Sequence, residues 1–338
     1  MFRPENRKPD FRNNMEVVLN RGIPSRPTLF EFFLNDRLYN KLVDKPEGLS
    51  NIERIVQAFN SAGYDYATVH PTDFSFAPPH HAQDKTISIN EGIIADRAAF
   101  DQFHWKNPED YSLEEYLKIP EYLPDGMKII PYGPSGVLEN AVDLMGYENL
   151  CMMIYDDEQL VYDLFEKVGT TLLKYYDMAI HNDFVGAVIS NDDWGFNKQT
   201  MLSPADMRRF VFPWHKAITD LCHKAGKPVI LHSCGNYDAI IDDIINDMKY
   251  DARHSYEDNI TPVEQAYQAL QGQIAVLGGI DMNFMVTKTP EEITARAESL
   301  IAEGMKHGGY ALGTGNSVPE YIPDEHYFAM VKAAFREY

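Results

Sequence analysis

Cysteine, basic residues and long apolar runs are all scarce in this sequence. Its three cysteines, Cys151, Cys222 and Cys234, form no even-numbered framework, which argues against a secreted disulfide scaffold and favours a reducing compartment. No apolar run approaches the roughly 18 residues that a membrane span needs, and the first ten residues lack the apolar centre of a signal peptide. We therefore expect a cytoplasmic protein without a membrane segment.

The charge balance is strongly acidic, with 30 Lys and Arg against 51 Asp and Glu and a net charge of -21. Such a surface repels phosphate backbones and anionic lipid headgroups, so neither nucleic acid nor membranes are expected partners, although the charge also serves solubility. Hydrophobic residues make up 44% of the 338 residues, enough for a large core. The length exceeds the roughly 250 residues of a simple α/β barrel and predicts one elaborated domain over residues 1–338.

Short apolar runs alternate with amphipathic stretches along the chain, a pattern typical of βα units. Eight strands are predicted between residues 28 and 318, at Thr28–Phe33, Tyr66–His70, Lys128–Tyr132, Gly186–Ser190, Pro228–His232, Tyr250–His254, Ile274–Gly278 and Gly309–Leu312. Eight such units favour a single (β/α)8 TIM barrel of the α/β class. An open Rossmann sheet is the weaker alternative, because no Gly-x-Gly-x-x-Gly follows the first strand.

Amphipathic stretches between the strands predict helices at Asn51–Ala62, Asp157–His181, Ser203–Ala225, Tyr237–Met248, Pro262–Leu270, Pro290–His307 and Asp324–Glu337. Ser203, Thr261 and Thr289 each precede a proline and are followed three residues later by an acid, which predicts helix caps. The segment 74–126 after the second strand is too long for a simple connection and predicts an insertion or lid. Within it, His80 and His81 are expected in an exposed loop.

Polar residues just past barrel strands converge on one mouth, so these positions supply the candidate site. The clearest is His232-Ser-Cys234, because imidazole and thiolate are preferred zinc ligands. The alternative is a hydrogen-bonded histidine beside an inert buried thiol.

Adjacent acids follow the fourth strand in Asn191-Asp-Asp-Trp-Gly195, and two neighbouring carboxylates can raise one another's pKa. Asp193 and His254 are candidate proton-transfer groups. Asp192 could equally cap a helix, and His254 could simply bond to Glu257 or Asp258. The glycines beside Asp281 and Thr314 fit either a ligand-binding backbone or plain turns.

Four motifs together resemble the uroporphyrinogen decarboxylase superfamily over nearly the whole chain: His232-Ser-Cys-Gly-Asn236, Asn191-Asp-Asp-Trp-Gly195, Gly278-Gly-Ile-Asp281 and Leu312-Gly-Thr-Gly-Asn-Ser317. This superfamily includes the haem-pathway decarboxylase and zinc-dependent, corrinoid-linked methyltransferases, both built on the predicted barrel. The resemblance to the methyltransferases implies zinc at His232 and Cys234. Their third ligand, a cysteine in the last Gly-x-Gly, is replaced here by Thr314, so Glu31, Asp281 or His254 would have to complete the site.

The resemblance to the decarboxylase implies that Asp73 matches the aspartate that holds the pyrrole nitrogens. That branch also has an arginine-rich amino-terminal segment, for which Arg21 and Arg26 lack the spacing. It carries a histidine inside the last Gly-x-Gly, where this chain again has Thr314.

The leading hypothesis is zinc-dependent methyl transfer between a small methylated substrate and a separate corrinoid protein or thiol, with Asp193 and His254 moving protons. Substrate contacts are expected from residues at the strand ends, namely Glu31, His70, Asp192, Trp194, Asp281, Thr314 and Asn316. The runner-up is decarboxylation of a pyrrole acetate, with Asp73 stabilising the cationic intermediate. A third hypothesis is a non-catalytic barrel that binds a small ligand, and a homodimer is considered as an assembly.

Overall fold

The structure is a computed structural model, and it describes residues 2–4, 7–76 and 89–336. His80 and His81 lie outside the described residues. The described chain has an α/β fold in which all strands are parallel. The strands are β1 (Tyr66–Val69), β2 (Lys128–Pro131), β3 (Val188–Asn191), β4 (Val229–His232), β5 (Ala252–His254), β6 (Ala275–Leu277) and β7 (Tyr310–Ala311).

The strands form a pair, β1-β2, and a five-stranded sheet ordered β3-β4-β5-β6-β7. Single parallel bridges from Ile129 to Val185 and from Tyr132 to Ile189 connect β2 with β3. The strands β1, β4, β5 and β6 are buried along their whole length. Burial on both faces fits the apolar runs of β4 and β6, whereas β5 includes Arg253 and His254.

The segment Thr28–Phe33, expected to be the first strand, forms one bridge, between Leu29 and Leu312, instead of a full strand. Its backbone pairs with the β7 side through Phe30 N to Leu312 O at 2.7 Å. On the side that faces β1, hydrogen bonds from side chains take the place of bonds between two backbones. The Tyr66 hydroxyl donates to Glu31 O at 2.8 Å, and the Thr68 hydroxyl donates to Phe32 O. The expectation of eight regular strands was therefore wrong for this segment, whose backbone groups are satisfied by side chains.

The α-helices are α1 (Met15–Leu19), α2 (Asp36–Leu42), α3 (Asn51–Ala62), α4 (Arg97–Gln102), α5 (Glu114–Leu117), α6 (Val137–Met145), α7 (Tyr147–Asp156), α8 (Glu158–Ile180), α9 (Pro204–Asp206), α10 (Phe212–Lys224), α11 (Val263–Leu270), α12 (Met282–Thr287), α13 (Pro290–His307) and α14 (Asp324–Ala333). Short 3₁₀ segments occur at Pro108–Asp110 and Ile119–Glu121, and π-helical turns at Met207–Val211 and Asp243–Asp247. None of the described helices combines the length and the apolar character of a membrane span.

The helix caps follow the sequence signals in two cases of three. Thr289 accepts from Glu292 N at 3.3 Å while Glu292 accepts from Thr289 N at 3.0 Å, which confirms a capping box. Ser203 accepts from Asp206 N at 3.1 Å. The cap expected at Thr261 was wrong, because Pro262 occupies the cap position of α11 and no side chain bonds to the helix there.

Candidate functional site

The parallel register brings three strand ends together at one edge of the five-stranded sheet. Asn191 on β3 is paired with His232 on β4, and His232 is paired with His254 on β5. The residues that follow these strands, including Asp193 and Cys234, therefore emerge side by side. This is the convergence of strand-end side chains expected from the sequence.

Asp193, His232 and Cys234 form a cluster whose possible ligand atoms all lie within 4.8 Å of one another. His232 is buried, and the other two are half-buried. The backbone N–H of Cys234 donates to Asp193 Oδ1 at 2.9 Å, so the loop after β4 positions the carboxylate from the loop after β3. Imidazole, thiolate and carboxylate are all established zinc ligands, and three protein ligands are the usual number at a catalytic zinc site.

Burial favours the uncharged form of each group in this cluster. It lowers the pKa of His232 well below its ordinary value of 6.5, and the neighbouring His254 and Arg253 lower it further. The pKa of the Cys234 thiol is raised to about 12 by burial and by Asp193, and burial raises the pKa of Asp193 itself. A bound cation would reverse these penalties for the thiolate and the carboxylate, while a neutral imidazole is already the form that binds metal.

A chain of hydrogen bonds fixes the tautomer of His232. His254 Nε2 lies 3.1 Å from Thr314 O, and because a carbonyl only accepts, His254 carries its proton on Nε2. Burial lowers the pKa of His254 to about 4, so the ring is neutral and its Nδ1 accepts. The His232 Nδ1 group, 2.8 Å away, must then be the donor. This leaves a lone pair on Nε2 of His232 for a metal.

The sulfur of Cys234 is contacted by two polar side chains. Asn316 Nδ2 donates to Sγ at 3.2 Å, and Ser255 Oγ lies 3.6 Å from it. Donors of this kind stabilise a thiolate, so Asn316 supports the cluster instead of lying apart from it. Ser255 was missed by the sequence analysis, although it directly follows a strand and was open to the same argument.

Phe32 was also missed. Its ring lies 4.4 Å from that of His232, centroid to centroid, and 4.9 Å from that of Tyr132. Phe32 therefore packs against the candidate ligand. No local signal distinguishes its ring from the other apolar side chains around it in the sequence.

Gly235 allows the loops after β3 and β4 to meet. Its φ of 114° lies in a region that L side chains rarely adopt, and a Cβ there would lie 2.4 Å from the backbone of Gly195. Gly195 N donates to Cys234 O at 3.1 Å across this contact. The two loops that carry the cluster are therefore joined backbone to backbone.

Asp192 and Trp194, expected to contact substrate, are instead fully buried behind the cluster. Asp192 accepts from the N–H groups of Leu138 and Glu139 at 2.9 Å each, which caps the first turn of α6. The Trp194 indole and His215 Nε2 each lie 2.8 Å from the same carboxylate. Asp192 is fully buried and both of its oxygens are bonded to protein groups, which matches the capping alternative.

Three residues were expected to replace the missing zinc ligand. Among the described residues, none of the three belongs to the cluster of possible ligands. Glu31 is fully buried and bonded to Thr314, with Oε1 2.8 Å from the Thr314 N and Oε2 2.7 Å from its hydroxyl. Asp281 caps α12, accepting from Phe284 N and Asp258 N at 3.0 Å each. His254 bonds to His232 and to Thr314, and not to Glu257 or Asp258. The third member of the cluster is Asp193, which the sequence analysis had considered for proton transfer.

His70 and Asp73 lie at a second part of the same end of the molecule. Both line a cavity of about 780 Å³ together with Tyr132 and residues of α3 and α5. The ring of His70 lies 3.9 Å from that of Tyr132, which in turn contacts Phe32. A continuous row of rings thus leads from this cavity to His232.

Comparison with known proteins identifies the family. The family model for uroporphyrinogen decarboxylase (URO-D) matches residues 118–337, well over half of the chain. A methyltransferase from Methanosarcina mazei has a similar structure, with a TM-score of 0.70 and 13% identity, over 97% of this chain and 99% of that one. A putative vitamin-B12 independent methionine synthase from Listeria monocytogenes is less similar, with a TM-score of 0.44 and 13% identity over 92% and 97% of the two chains.

No curated protein matches the chain in sequence. At 13% identity, the similarity to the Methanosarcina mazei methyltransferase concerns the fold alone. The family match includes β3 to β7 and both loops that carry the cluster of Asp193, His232 and Cys234. The chain belongs to the uroporphyrinogen decarboxylase family.

Proposed function

We propose that this protein is a zinc-dependent methyltransferase that moves a methyl group between a small methylated substrate and a corrinoid protein or a thiol. The observation that carries the proposal is the cluster of Asp193, His232 and Cys234, whose ligand atoms lie within 4.8 Å of one another. An imidazole, a thiolate and a carboxylate suit zinc and leave one coordination position for a reactant.

The proposal takes the whole chain as one domain with a closed (β/α)8 barrel. The bridges between β2 and β3, the Leu29–Leu312 bridge and the bonds from Tyr66 and Thr68 to residues 31 and 32 support this closure. In such a barrel the cluster lies at the carboxyl ends of the strands, where active sites of this architecture are found.

Zinc held by these residues would act as a Lewis acid, lowering the pKa of a bound thiol or polarising a substrate heteroatom. The chain's own residues would prepare the site. His254 keeps the proton of His232 on Nδ1, and the Cys234 backbone orients Asp193. Asn316 and Ser255 would stabilise the Cys234 thiolate.

The 780 Å³ cavity is the proposed entrance for the substrate. Four carboxylates line it, those of Asp73, Glu114, Glu115 and Asp143, and none of its described lining residues is lysine or arginine. A polycarboxylate such as a porphyrinogen would be repelled there, whereas a neutral or cationic methylated substrate would not. This lining favours methyl transfer over the decarboxylase alternative.

A separate corrinoid protein, as the acceptor or donor of the methyl group, and a homodimer are part of the proposal. The fold similarity to the methyltransferase from Methanosarcina mazei supports the reaction class. The identity of the methylated substrate is left to the assay described next.

The experiment measures bound metal and methyl transfer on the same preparations. The untagged protein and the variants Asp193→Asn, His232→Ala and Cys234→Ser are analysed for zinc, with Cys222→Ser in α10 as the matched cysteine control. We expect about one zinc per chain in the unchanged protein and the control, and a loss of zinc in the three cluster variants. Methyl transfer to free cobalamin or to a thiol is then followed spectroscopically across ethers and amines.

The outcomes separate the hypotheses. Loss of both zinc and methyl transfer in the cluster variants supports the proposal. Zinc-free protein with full methyl transfer would refute the role of the metal. Ligand-dependent thermal stabilisation without turnover of any substrate would favour the non-catalytic binding barrel.

A further inference from the structure

Arg253 is a buried arginine without an acidic partner. It lies in the middle of β5 and is 9% exposed. Because side chains alternate across a strand, it points away from the face that presents His254. No ion pair found among the described residues includes Arg253, and its Nη2 donates to Ser255 O at 3.1 Å.

Two aromatic rings enclose the guanidinium. The Tyr237 ring centroid lies 4.3 Å from its central carbon, and the Tyr256 centroid lies 4.6 Å from it. These contacts stabilise the cation through the ring faces but provide no carboxylate to neutralise it. Within the described chain, Arg253 Nε has no hydrogen-bond partner. A buried arginine normally has its donors satisfied by a carboxylate or by several carbonyls.

A cavity of about 310 Å³ adjoins Arg253. Arg253 and the two tyrosines line it together with apolar side chains such as Ile241, Ile260 and Leu270, and polar residues including Asn246 and Gln265 complete the lining. It shares no lining residue with the 780 Å³ cavity and contains none of Asp193, His232 and Cys234. At about 30 Å³ for each water-sized group, it has room for roughly ten non-hydrogen atoms.

The charges around the cavity favour a ligand with no more than one negative charge. Asp238 and Asp242 are exposed at its rim, and Glu257 is half-buried. These acids disfavour a polyanion, while Arg253 is the one cation among the described lining residues. Apolar sides around a single guanidinium suit a small molecule with a carboxylate at one end and a hydrocarbon body.

We propose that this cavity binds a small monocarboxylate with an apolar body, whose carboxylate pairs with Arg253. The site is separate from the proposed methyl-transfer site and does not depend on that reaction. Ser255 and Gly235 line the cavity and also adjoin Cys234, since Ser255 Oγ lies 3.6 Å from its sulfur. A ligand bound there therefore contacts the loop that carries the candidate zinc ligand.

The test is calorimetric titration of the full chain with hexanoate, and with hexanamide as the neutral molecule of the same shape. We expect hexanoate to bind with a dissociation constant of about 1 mM or lower, and hexanamide to bind at least about tenfold more weakly. Inorganic phosphate, which lacks the apolar body, is expected not to bind. Equal affinity for hexanoate and hexanamide, or no saturable hexanoate binding, would overturn the proposal.

Variants locate the binding. Arg253→Gln removes the charge and should weaken hexanoate binding by about 10- to 100-fold. Ala266→Leu, which fills the cavity from α11, should abolish binding, whereas Gln268→Leu on an exposed face of the same helix should retain it. The comparison of Ala266→Leu with Gln268→Leu still tests the proposal if Arg253→Gln does not fold. His232→Ala should leave the affinity unchanged, and loss of binding in that variant would place hexanoate at the metal cluster and refute the proposal.

Discussion

Glu31 is expected to make the protein less stable as the pH rises, the reverse of the usual effect of an acid. Burial raises the pKa of this carboxyl from 4.5 to about 8, although the two hydrogen bonds with Thr314 lower it in part. A group that binds its proton more tightly in the folded state stabilises the fold while it is protonated. The stabilisation is complete below about pH 4.5 and is lost as the pH rises through 8.

The hydrogen bonds around Glu31 act against burial. The Thr314 backbone N–H donates to Oε1 at 2.8 Å and the Thr314 hydroxyl donates to Oε2 at 2.7 Å, and both bonds favour the ionised carboxylate. Burial away from water outweighs them, so the net effect is a raised pKa.

The size of the effect follows from the pKa shift. At about 1.4 kcal/mol for each pH unit, the shift from 4.5 to about 8 corresponds to about 5 kcal/mol of unfolding free energy, most of it lost between pH 5 and pH 8. Glu31→Gln is the matched perturbation, because an amide keeps the shape of the carboxyl group but does not titrate.

The assay is urea unfolding of the protein and of Glu31→Gln at pH 5, 6, 7 and 8. We expect the variant to gain about 3 to 4 kcal/mol relative to the unchanged protein over this range. Glu166→Gln, on the exposed side of α8, is the control for the substitution itself. A difference between the protein and Glu31→Gln that stays constant with pH would refute the assignment of a proton to Glu31.

Two further substitutions test the structural interpretation of the site. Asp192→Ala leaves the α6 amides, the Trp194 indole and His215 without their acceptor, so the unfolding free energy should fall by about 3 to 5 kcal/mol. The exposed cap substitution Ser203→Ala should cost about 1 kcal/mol in the same urea titration, and equal losses would contradict the buried role of Asp192. His254→Ala removes the group that fixes the His232 tautomer and should weaken zinc binding about 10- to 100-fold in competition with a chromophoric chelator. His223→Ala on α10 serves as the comparison, and unchanged zinc affinity in His254→Ala would show that the tautomer is set in another way.

The sequence predicted the strands best where both faces are buried. The run that ends at His232 is apolar up to the histidine, and the strand that ends at His254 is buried although it includes Arg253. The Thr28–Phe33 segment is also largely apolar but forms a single bridge. The difference comes from Tyr66 and Thr68, whose hydroxyls take the place of backbone donors on one side. Such long-range side-chain bonds leave no mark in the local sequence.

The sequence identified the members of the candidate site better than it identified their roles. His232, Cys234 and Asp193 were all identified at strand ends, yet the third donor was sought at Glu31, Asp281 and His254. The deciding fact is the bond from the Cys234 backbone to Asp193, which depends on how two loops pack around Gly235. Asp192 and Asp193 are adjacent in the sequence, but Asp192 faces α6 and Asp193 belongs to the cluster. A sequence pattern does not show which of two adjacent acids faces which way.

The bridge between Leu29 and Leu312 joins two distant parts of the chain, so it can form only late in synthesis. Glu31 and Thr314, which meet beside it, are 283 residues apart along the chain. At about 5 to 20 residues per second, a ribosome takes roughly 15 to 60 s to make the partner of a segment that has already emerged. During that interval Leu29, Phe30 and Phe32 have no β7 to cover them. The newborn chain is thus exposed to aggregation at its amino-terminal end, and this is the segment a chaperone would be expected to hold until translation is nearly complete.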